Sequence, residues 1–427
     1  MNRIGTDRYH RMTSILYAMI ALGQSTLTGF MSGWLIYFYL PPNGNPFVPF
    51  GLFGLAVLIS RITHVLTVIL VNRLPLRAIS KQWLYLVVGG FLMPIWFVLL
   101  WLLPRAGAST SNLVSLSLVL VAFNVSAGVH QAIYENLFAR LSFAENDQGI
   151  SEWRIGFMLG GSLLVGWAGP LIQALGYAQS AWIFAGVSAP FLVLPGWFLR
   201  RRLEQETQPF KRILFSDAVR GAWGQPAFRV FAISWGLMWL ATTFTFETIP
   251  YIVTEICRLD KAFTTLFYFS GLLVSLAGYP VVTKLVKFYG VKTTYRVSLL
   301  VGAIAIPMLA LVGEGIPLPL LAQGLIWMIL QAACLTGAQA LPNAVIAEIT
   351  ADTPNWQGPL YAFGNLVDQL SSGVALALIP FFLLLGRSSL DPGGPLGVRL
   401  LAIAGGIALI ASFGVFGHYK INKYDPN

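Results

Sequence analysis

Long apolar runs alternate with short polar segments along almost the whole chain. A helix needs about 20 apolar residues to cross the hydrocarbon core of a bilayer, and twelve runs reach that length. The predicted spans are 14–39, 48–72, 83–103, 112–139, 154–175, 178–199, 229–253, 262–286, 294–313, 316–346, 358–385 and 396–418. Strands of a membrane barrel are about ten residues long and alternate apolar with polar positions. The continuous runs therefore indicate an all-α integral membrane protein.

Composition and charge support this class and orient the chain. Hydrophobic residues make up 56% of the sequence, charged residues only 10%, and mean hydropathy is +0.71. With both termini in the cytoplasm, most of the 27 Lys and Arg residues fall in cytoplasmic segments, as the positive-inside rule requires. We therefore expect an inner or plasma membrane protein whose net charge of +10 reflects topology and not a nucleic-acid partner. Cys257 and Cys334 lie far apart in the chain and indicate neither a metal site nor a disulfide framework.

One polar segment divides the chain into halves. Residues 200–226, RRRLEQETQPFKRILFSDAVRGAWGQP, are basic and too long for a hairpin turn. The division predicts a six-helix half at 1–199, a cytoplasmic linker at 200–228 and a second six-helix half at 229–427. Transporters with two such halves bind their solute between the halves, near the middle of the membrane. Within the first half, Gly166 and Pro170 predict a kink.

The loop between the eighth and ninth spans, TKLVKFYGVKTTYRVSLL (283–300), resembles a known signature. The signature is the G-x-x-x-D-R-x-G-R-K-x loop of the major facilitator superfamily, which implies the major facilitator fold. Lys287, Gly290 and Lys292 fall on its basic, glycine and basic positions, and its acidic position is absent. The resemblance implies a tight basic turn that pairs across a closing gate, whereas positive-inside topology alone is the alternative explanation.

Within the superfamily, the second span is most similar to the glycoside-pentoside-hexuronide:cation symporters, the melibiose permease group. In that group an arginine is followed by an aspartate three residues on and by a second aspartate four residues later. LISRITHVLTVI (58–69) keeps the arginine as Arg61, but His64 and Val68 stand at the acidic positions. A charge at the centre of a span costs about 2.5–3.5 kcal/mol on insertion scales, so Arg61 should face a cavity or a partner.

The fourth span resembles the same group. HQAIYENLFARLSFAENDQGISEWRIGFMLGG (130–161) matches an aspartate-x-Pro-aromatic segment that is followed, across a polar loop, by an arginine. The match puts His130 at the acidic sugar-contacting position, Tyr134 at the stacking aromatic and Arg154 at the arginine. An interhelical packing pair is the alternative for the histidine and the tyrosine.

Two further positions complete the set of residues that the resemblance implies for solute binding. The Lys-Asp pair of the family's first helix reads Gln24-Ser25 here, and the lysine of its eleventh helix reads Gln369, beside Asp368. The candidate solute-binding residues are Gln24, Arg61, His130, Tyr134, Arg154, Asp368 and Gln369.

The missing acidic residues bear on ion coupling. A sodium site in the membrane needs an anionic ligand, so sodium coupling is doubtful, as is a galactoside substrate. His64 titrates near neutral pH and could take over as a protonatable group, and Glu135 and Glu247 are candidate proton carriers within spans. Each has a structural alternative: a contact with a neighbouring helix for His64, an ion pair with Arg61 or Arg154 for Glu135, and a water-facing mouth for Glu247.

The sequence thus predicts a secondary transporter that moves a small polar solute, sugar or glycoside-like, by alternating access. Proton coupling, an amphiphile (lysolipid-like) cargo, and a non-transporting role as a membrane assembly factor or receptor remain open alternatives. An enzyme is not expected, because the four histidines form no H-E-x-x-H and no G-x-S-x-G is present. The expected partners are the solute and the lipid bilayer, with no cofactor or metal, and the protein is expected to be a monomer.

Overall fold

The structure is a computed structural model that describes residues 3–42, 45–73, 82–104, 107–145, 149–200, 221, 223–313, 315–350, 357–385 and 395–419. Its regular elements in these ranges are all helical. The long helices are α1 (Arg3–Tyr39), α2 (Phe50–Arg73), α3 (Gln82–Leu102), α4 (Thr110–Glu145), α5 (Gly149–Gly166), α6 (Ala168–Leu175), α7 (Tyr177–Phe198), α8 (Pro226–Phe246), α9 (Thr264–Ala305), α10 (Leu320–Ala340), α11 (Pro342–Ile349), α12 (Gln357–Leu384) and α13 (Leu396–Gly417). Short helical turns occupy Ile249–Tyr251, Ile252–Ile256, Lys261–Phe263 and Pro307–Leu311.

Eleven helical stretches within the described residues are long and apolar enough to cross a membrane. The longest, Lys261–Leu311, has 51 residues, and at about 1.5 Å per residue it is more than twice as long as one crossing needs. Gly290 divides it, with φ 79° and ψ 164° inside α9. Because glycine lacks a Cβ, it adopts this conformation without strain. The two arms correspond to the eighth and ninth predicted spans, so the eleven stretches of the described residues cover all twelve predicted spans.

The kink predicted in the fifth span coincides with an interruption of the helix. α5 ends at Gly166 and α6 begins at Ala168. The Trp167 N–H bonds to the carbonyl oxygen of Leu164, three residues earlier, at 3.0 Å. In a regular α-helix it would bond to the residue four positions earlier. Pro170 sits in the first turn of α6, where its missing N–H costs no helical hydrogen bond.

The chain forms two compact units. The first consists of Met1–Tyr39, Pro46–Pro49 and Ile59–Arg212, and the second of Leu40–Asn45, Phe50–Leu58 and Ile213–Asn427. The predicted linker at 200–228 falls largely outside the described residues, so the division into halves at that segment stays a prediction.

Each unit is held by direct helix packing. In the first, α1 packs on α5 and α7, and α3 packs on α4 and α7. In the second, α8 packs on α12 and α13, and α9 packs on α10. Ser234 and Ser412 join α8 to α13, with their hydroxyl oxygens 2.8 Å apart and both side chains fully buried. Such a pair satisfies both hydroxyl groups away from water, as a membrane interior requires.

Candidate functional site

Two tyrosines stack between α1 and α4 of the first unit. The ring centroids of Tyr17 and Tyr134 are 4.4 Å apart and their planes differ by 14°. The Tyr17 hydroxyl donates to the Tyr134 backbone carbonyl at 3.0 Å. Only 1% of Tyr134 is exposed. In this structure one face of the predicted stacking aromatic is therefore covered by Tyr17, which is a contact that the sequence did not indicate.

An ion pair lies directly beside the tyrosine stack. Arg154 of α5 donates through both terminal nitrogens to Glu135 of α4, with Nη2–Oε1 at 2.5 Å and Nη1–Oε2 at 3.1 Å. The Arg154 Cζ lies 4.9 Å from the centroid of the Tyr134 ring. Both charged side chains are 28% exposed, unlike the buried tyrosines. Of the two partners that the sequence offers Glu135, the structure shows Arg154.

This pair has the chemistry to bind a hydroxylated ligand. A guanidinium carries five N–H donors and a carboxylate accepts about four hydrogen bonds, more than the two bonds of the pair require. The charge-assisted fork also fixes the direction of both groups. The pair therefore forms an oriented, partly open polar surface that lies against the buried ring of Tyr134.

The position of Arg154 follows from a close approach of α5 to α1. Gly161 lies two turns after Arg154 on the same face of α5. A Cβ added at Gly161 would overlap the Ser25 hydroxyl and would lie 2.6 Å from the Leu22 carbonyl oxygen. Because Gly161 has only a hydrogen atom in place of a side chain, α5 can lie close enough to α1 for Arg154 to reach the tyrosine stack.

A second polar pair lies further along the same two helices. Gln24 Nε2 of α1 is 2.9 Å from His130 Nδ1 of α4, and His130 Nε2 is 3.4 Å from the carbonyl oxygen of Leu192 on α7. That carbonyl only accepts, so the proton of a neutral imidazole sits on Nε2, and Nδ1 accepts from the Gln24 amide. The structure thus brings two predicted solute-binding residues together. His130 has no exposed surface here, and its ring joins three helices.

We expect the Gln24 and His130 side chains to be energetically coupled. In His130→Leu, the Gln24 amide loses its buried acceptor, and the free energy of unfolding should fall by about 1–3 kcal/mol. The double variant Gln24→Leu/His130→Leu should recover part of this, with a coupling of about 0.6 kcal/mol and at most about 1.7 kcal/mol. The free energy of unfolding is measured in mixed detergent micelles for the wild type, the two single leucine variants and the double variant.

Ser162→Ala is the matched control, because that hydroxyl is exposed and donates to the Met158 carbonyl oxygen of its own helix. It should unfold like the wild type. If the losses of unfolding free energy in the two single leucine variants simply add up in the double variant, the contact between the His130 ring and the Gln24 amide contributes no stability.

His64 contacts α4 through both ring nitrogens. Nδ1 lies 3.2 Å from the Asn124 backbone carbonyl oxygen, and Nε2 lies 2.9 Å from the side-chain oxygen Oε1 of Gln131. Both partners are oxygen atoms, and a neutral imidazole can donate to only one of them. A neutral ring that donates from Nδ1 would accept at Nε2 only with the Gln131 amide turned to present its NH₂ group. Arg61 is one turn earlier and partly exposed. Sequence reasoning missed Gln131; its spacing of seven from Asn124, which puts both on one helix face, is the signal that could have found it.

Glu247 lies at a break in the helix. α8 ends at Phe246, Thr248 leaves helical geometry with φ −104° and ψ 3°, and a π-helical turn follows at Ile252–Ile256. The Glu247 side chain is buried and acts electrostatically on Tyr268 of α9. Broken membrane helices occur where the backbone lines a cavity or is buried in protein, and π turns are frequent at functional sites. Glu247 therefore stands out among the carboxylates of the second unit.

Asp368 and Gln369 lie partly buried on α12. The Ser372 hydroxyl donates to Asp368 Oδ1 at 3.2 Å, and the Thr243 hydroxyl of α8 donates to Ser372 at 3.2 Å. Asp368 is thus tied to α8 through a short chain of hydroxyl groups. These residues belong to the second unit, whereas the other candidate solute-binding residues belong to the first.

The candidate gate residues surround the bend of α9. Lys287 is exposed, and Gly290 forms the bend. Lys292 Nζ donates to the Tyr419 carbonyl oxygen at 2.5 Å, next to the carboxyl end of α13. A cation there is favoured by the helix dipole. The contact anchors the end of α13 within the second unit, and a role in gating stays a prediction.

The fold resembles several solved transporter structures. The nucleoside transporter NupG matches with a TM-score of 0.69 and 14% identity, over 96% of this chain and 100% of that chain. A bacterial homologue of the iron transporter ferroportin, in an inward-facing state, matches with a TM-score of 0.67 and 14% identity, over 98% and 99%. A bacterial homolog of the human lysosomal transporter Spinster gives 0.65 and 12%, over 96% of each chain. At such identities the likeness establishes the fold alone, and it is the predicted fold of a major facilitator transporter.

The sequence defines the family more closely. The model of the MFS/sugar transport protein family matches residues 16–415. The chain belongs to that family. No curated protein matches it significantly.

Proposed function

We propose that the protein is a secondary transporter of a sugar or glycoside-like solute and that Arg154 and Glu135 form the centre of its binding site. The observation that carries this proposal is the partly exposed, two-bonded ion pair held against the Tyr134 ring. A sugar presents several hydroxyl groups that both donate and accept. A guanidinium beside a carboxylate offers both kinds of partner at fixed positions.

The remaining residues of the first unit support the pair. The Tyr17–Tyr134 stack holds one side of the guanidinium, and the Gln24–His130 pair continues the same helix contact one turn further on. In an alternating-access cycle, these contacts would keep α1, α4 and α5 together as the solute binds and leaves. Asp368 and Gln369, which belong to the second unit, are proposed as solute-binding residues on the resemblance alone.

The similarity to the melibiose permease group supports a glycoside-type solute but not a galactoside. In that group, acidic side chains on the first and fourth helices contact the sugar, and here Gln24 and His130 stand in their place. Neutral side chains of this type form weaker hydrogen bonds to hydroxyl groups than carboxylates do. We therefore propose that more of the recognition falls on Arg154 and Glu135.

Thermal stabilisation of the purified protein by a panel of solutes tests the proposal. The panel contains sugars, glycosides, organic acids and lysolipids, each at pH 5.5 and 7.5 with and without sodium. We expect a sugar or glycoside to raise the melting temperature, with no added effect of sodium. Stabilisation by a lysolipid alone would indicate an amphiphile carrier. No stabilisation and no flux for any solute would favour the role of assembly factor or receptor.

We propose further that Glu247 carries a coupled proton, because it is a buried carboxylate at a helix break. Uptake of the stabilising sugar into proteoliposomes should be faster with pH 5.5 outside than with pH 7.5. In Glu247→Gln, uptake should become independent of pH, while exchange of labelled for unlabelled sugar should continue, because exchange needs no net proton movement.

Asp260→Asn is the matched control for this experiment, because Asp260 is an exposed carboxylate shortly after the same broken helix. It should keep the pH response of the wild type. An unchanged pH response in Glu247→Gln would remove Glu247 as the proton carrier and leave the proposal for the sugar site intact.

A further inference from the structure

A cluster of aromatic and basic side chains lies where α3 begins and α7 ends. The rings of Trp83 and Trp197 are 5.9 Å apart and nearly perpendicular, at 86°. The Cζ of Arg200 lies 4.5 Å from the Trp83 ring. All three residues belong to the first unit, and α3 and α7 pack directly on one another there.

The cluster lies at the level expected for lipid headgroups. Trp83 is the second residue of the span Gln82–Leu102, and Arg200 follows the end of the span Tyr177–Phe198. Trp197 is 56% exposed and Phe198 is 63% exposed, so apolar rings face outward beside the cation. Tryptophan at the end of a span is typical of the membrane–water interface.

The cluster also contains an unused hydrogen-bond donor. The indole Nε1 of Trp83 is buried and has no hydrogen-bond partner within the described part of the chain. A buried N–H that makes no hydrogen bond costs about 1–3 kcal/mol. A phosphate oxygen that reaches this N–H, once the side chains covering it shift, would remove this cost.

We propose that the cluster binds the headgroup phosphate of an anionic phospholipid. The Arg200 guanidinium and the Trp83 N–H are both donors, and phosphate oxygens are acceptors that carry the complementary charge. Trp197 and Phe198 would lie against the upper part of the acyl chains. The positive charge of Arg200 favours an anionic over a zwitterionic headgroup.

Lipid bound here would stabilise the first unit. Trp83 packs against the buried cluster that contains Tyr17, Tyr134 and Leu199. A lipid that holds Trp83 and the end of α7 therefore also supports the helices that carry the tyrosine stack. This site is separate from the proposed sugar site and does not depend on it.

Lipid binding to the delipidated protein in detergent tests the proposal. Phosphatidylglycerol and phosphatidylcholine are titrated while the melting temperature and the number of retained lipids are followed, the latter by native mass spectrometry. We expect phosphatidylglycerol to bind more tightly. Arg200→Gln should weaken it about fivefold, the effect of one basic residue near a charged membrane surface. Trp83→Phe keeps an aromatic ring, removes the N–H and should weaken binding as well.

Two variants serve as matched controls. Trp182→Phe changes an exposed tryptophan at the other end of α7, and Lys284→Gln removes an exposed cation elsewhere. Both should bind phosphatidylglycerol like the wild type. Because Arg200 is exposed, Arg200→Gln still decides the question if Trp83→Phe does not fold.

Unchanged phosphatidylglycerol binding by Arg200→Gln would overturn the proposal. Equal loss in the two control variants would also overturn it, since the effect would then come from general charge or hydrophobicity. A third arm adds soluble glycerol phosphate, which should neither stabilise the protein nor compete. Full protection by glycerol phosphate would show that the site binds a soluble anion and not a lipid.

Discussion

Arg154→Ala is expected to abolish stabilisation by the sugar that the panel identifies and to lower its uptake about 100-fold, a loss of roughly 2.7 kcal/mol of binding in the transport cycle. Two causes act together. The substitution removes the donor that faces the solute, and it leaves the Glu135 carboxylate, 28% exposed, without its two-bonded partner. Removing one member of a buried or partly buried ion pair is far more damaging than replacing both.

Conservative variants separate recognition from folding. Arg154→Lys keeps the charge but loses the planar fork, so we expect about a tenfold loss of uptake. Arg154→Gln/Glu135→Gln removes both charges and should unfold at nearly the wild-type temperature while it still fails to bind sugar. Lys284→Gln, an exposed cation on α9, should transport normally. Sugar stabilisation that persists in Arg154→Ala would remove this residue from the binding site.

Gly161→Ala is expected to destabilise the first unit by about 1–3 kcal/mol, the usual cost of overpacking. The new Cβ would meet the backbone carbonyl of Leu22 at 2.6 Å as well as the Ser25 hydroxyl. A carbonyl within a helix cannot move away as the end of a flexible side chain can, so α5 itself must shift. Because Arg154 lies two turns earlier, the shift should also weaken its contact with Glu135.

Gly156→Ala provides the matched comparison on the same helix, because nothing lies within 4 Å of the position that a Cβ would take there. It should be neutral or stabilising by up to about 1 kcal/mol, since alanine favours the helix more than glycine does. Melting temperatures of both variants in one detergent measure the difference. Equal stability would mean that α1 and α5 are further apart than the structure has them.

Hydropathy alone located the membrane helices closely. The eleventh span, predicted at 358–385, is α12 at Gln357–Leu384. The reason is physical: a lipid-exposed backbone must be helical and apolar over the full thickness of the membrane, so the pattern follows the structure directly. Breaks inside a span leave a weaker trace. The kink near Gly166 was predicted from glycine and proline, but the break at Glu247 was not predicted. Hydropathy averaged over a window of residues carries no information on backbone dihedral angles.

The candidate site was predicted as a set of residues and not as a set of contacts. Glu135 was offered two arginine partners, and only the structure selects Arg154. Tyr17, which stacks on Tyr134 across 117 residues of chain, carried no signal at all. In the sequence, an aromatic residue in an apolar span looks the same whether it faces lipid, another helix or a ligand. A single sequence therefore gives the chemistry available to the site without its geometry.

The Gln24–His130 contact also constrains how the protein is made. Its two members are 106 residues apart, so α1 leaves the ribosome long before α4 exists. Until then the Gln24 amide must form its hydrogen bonds with water, with the insertion machinery or with another helix, because lipid tails contain no hydrogen-bonding groups. The first three helices of this unit therefore cannot adopt their final packing at the time when each of them is synthesised. Their assembly cannot be completed before the fourth has entered the membrane.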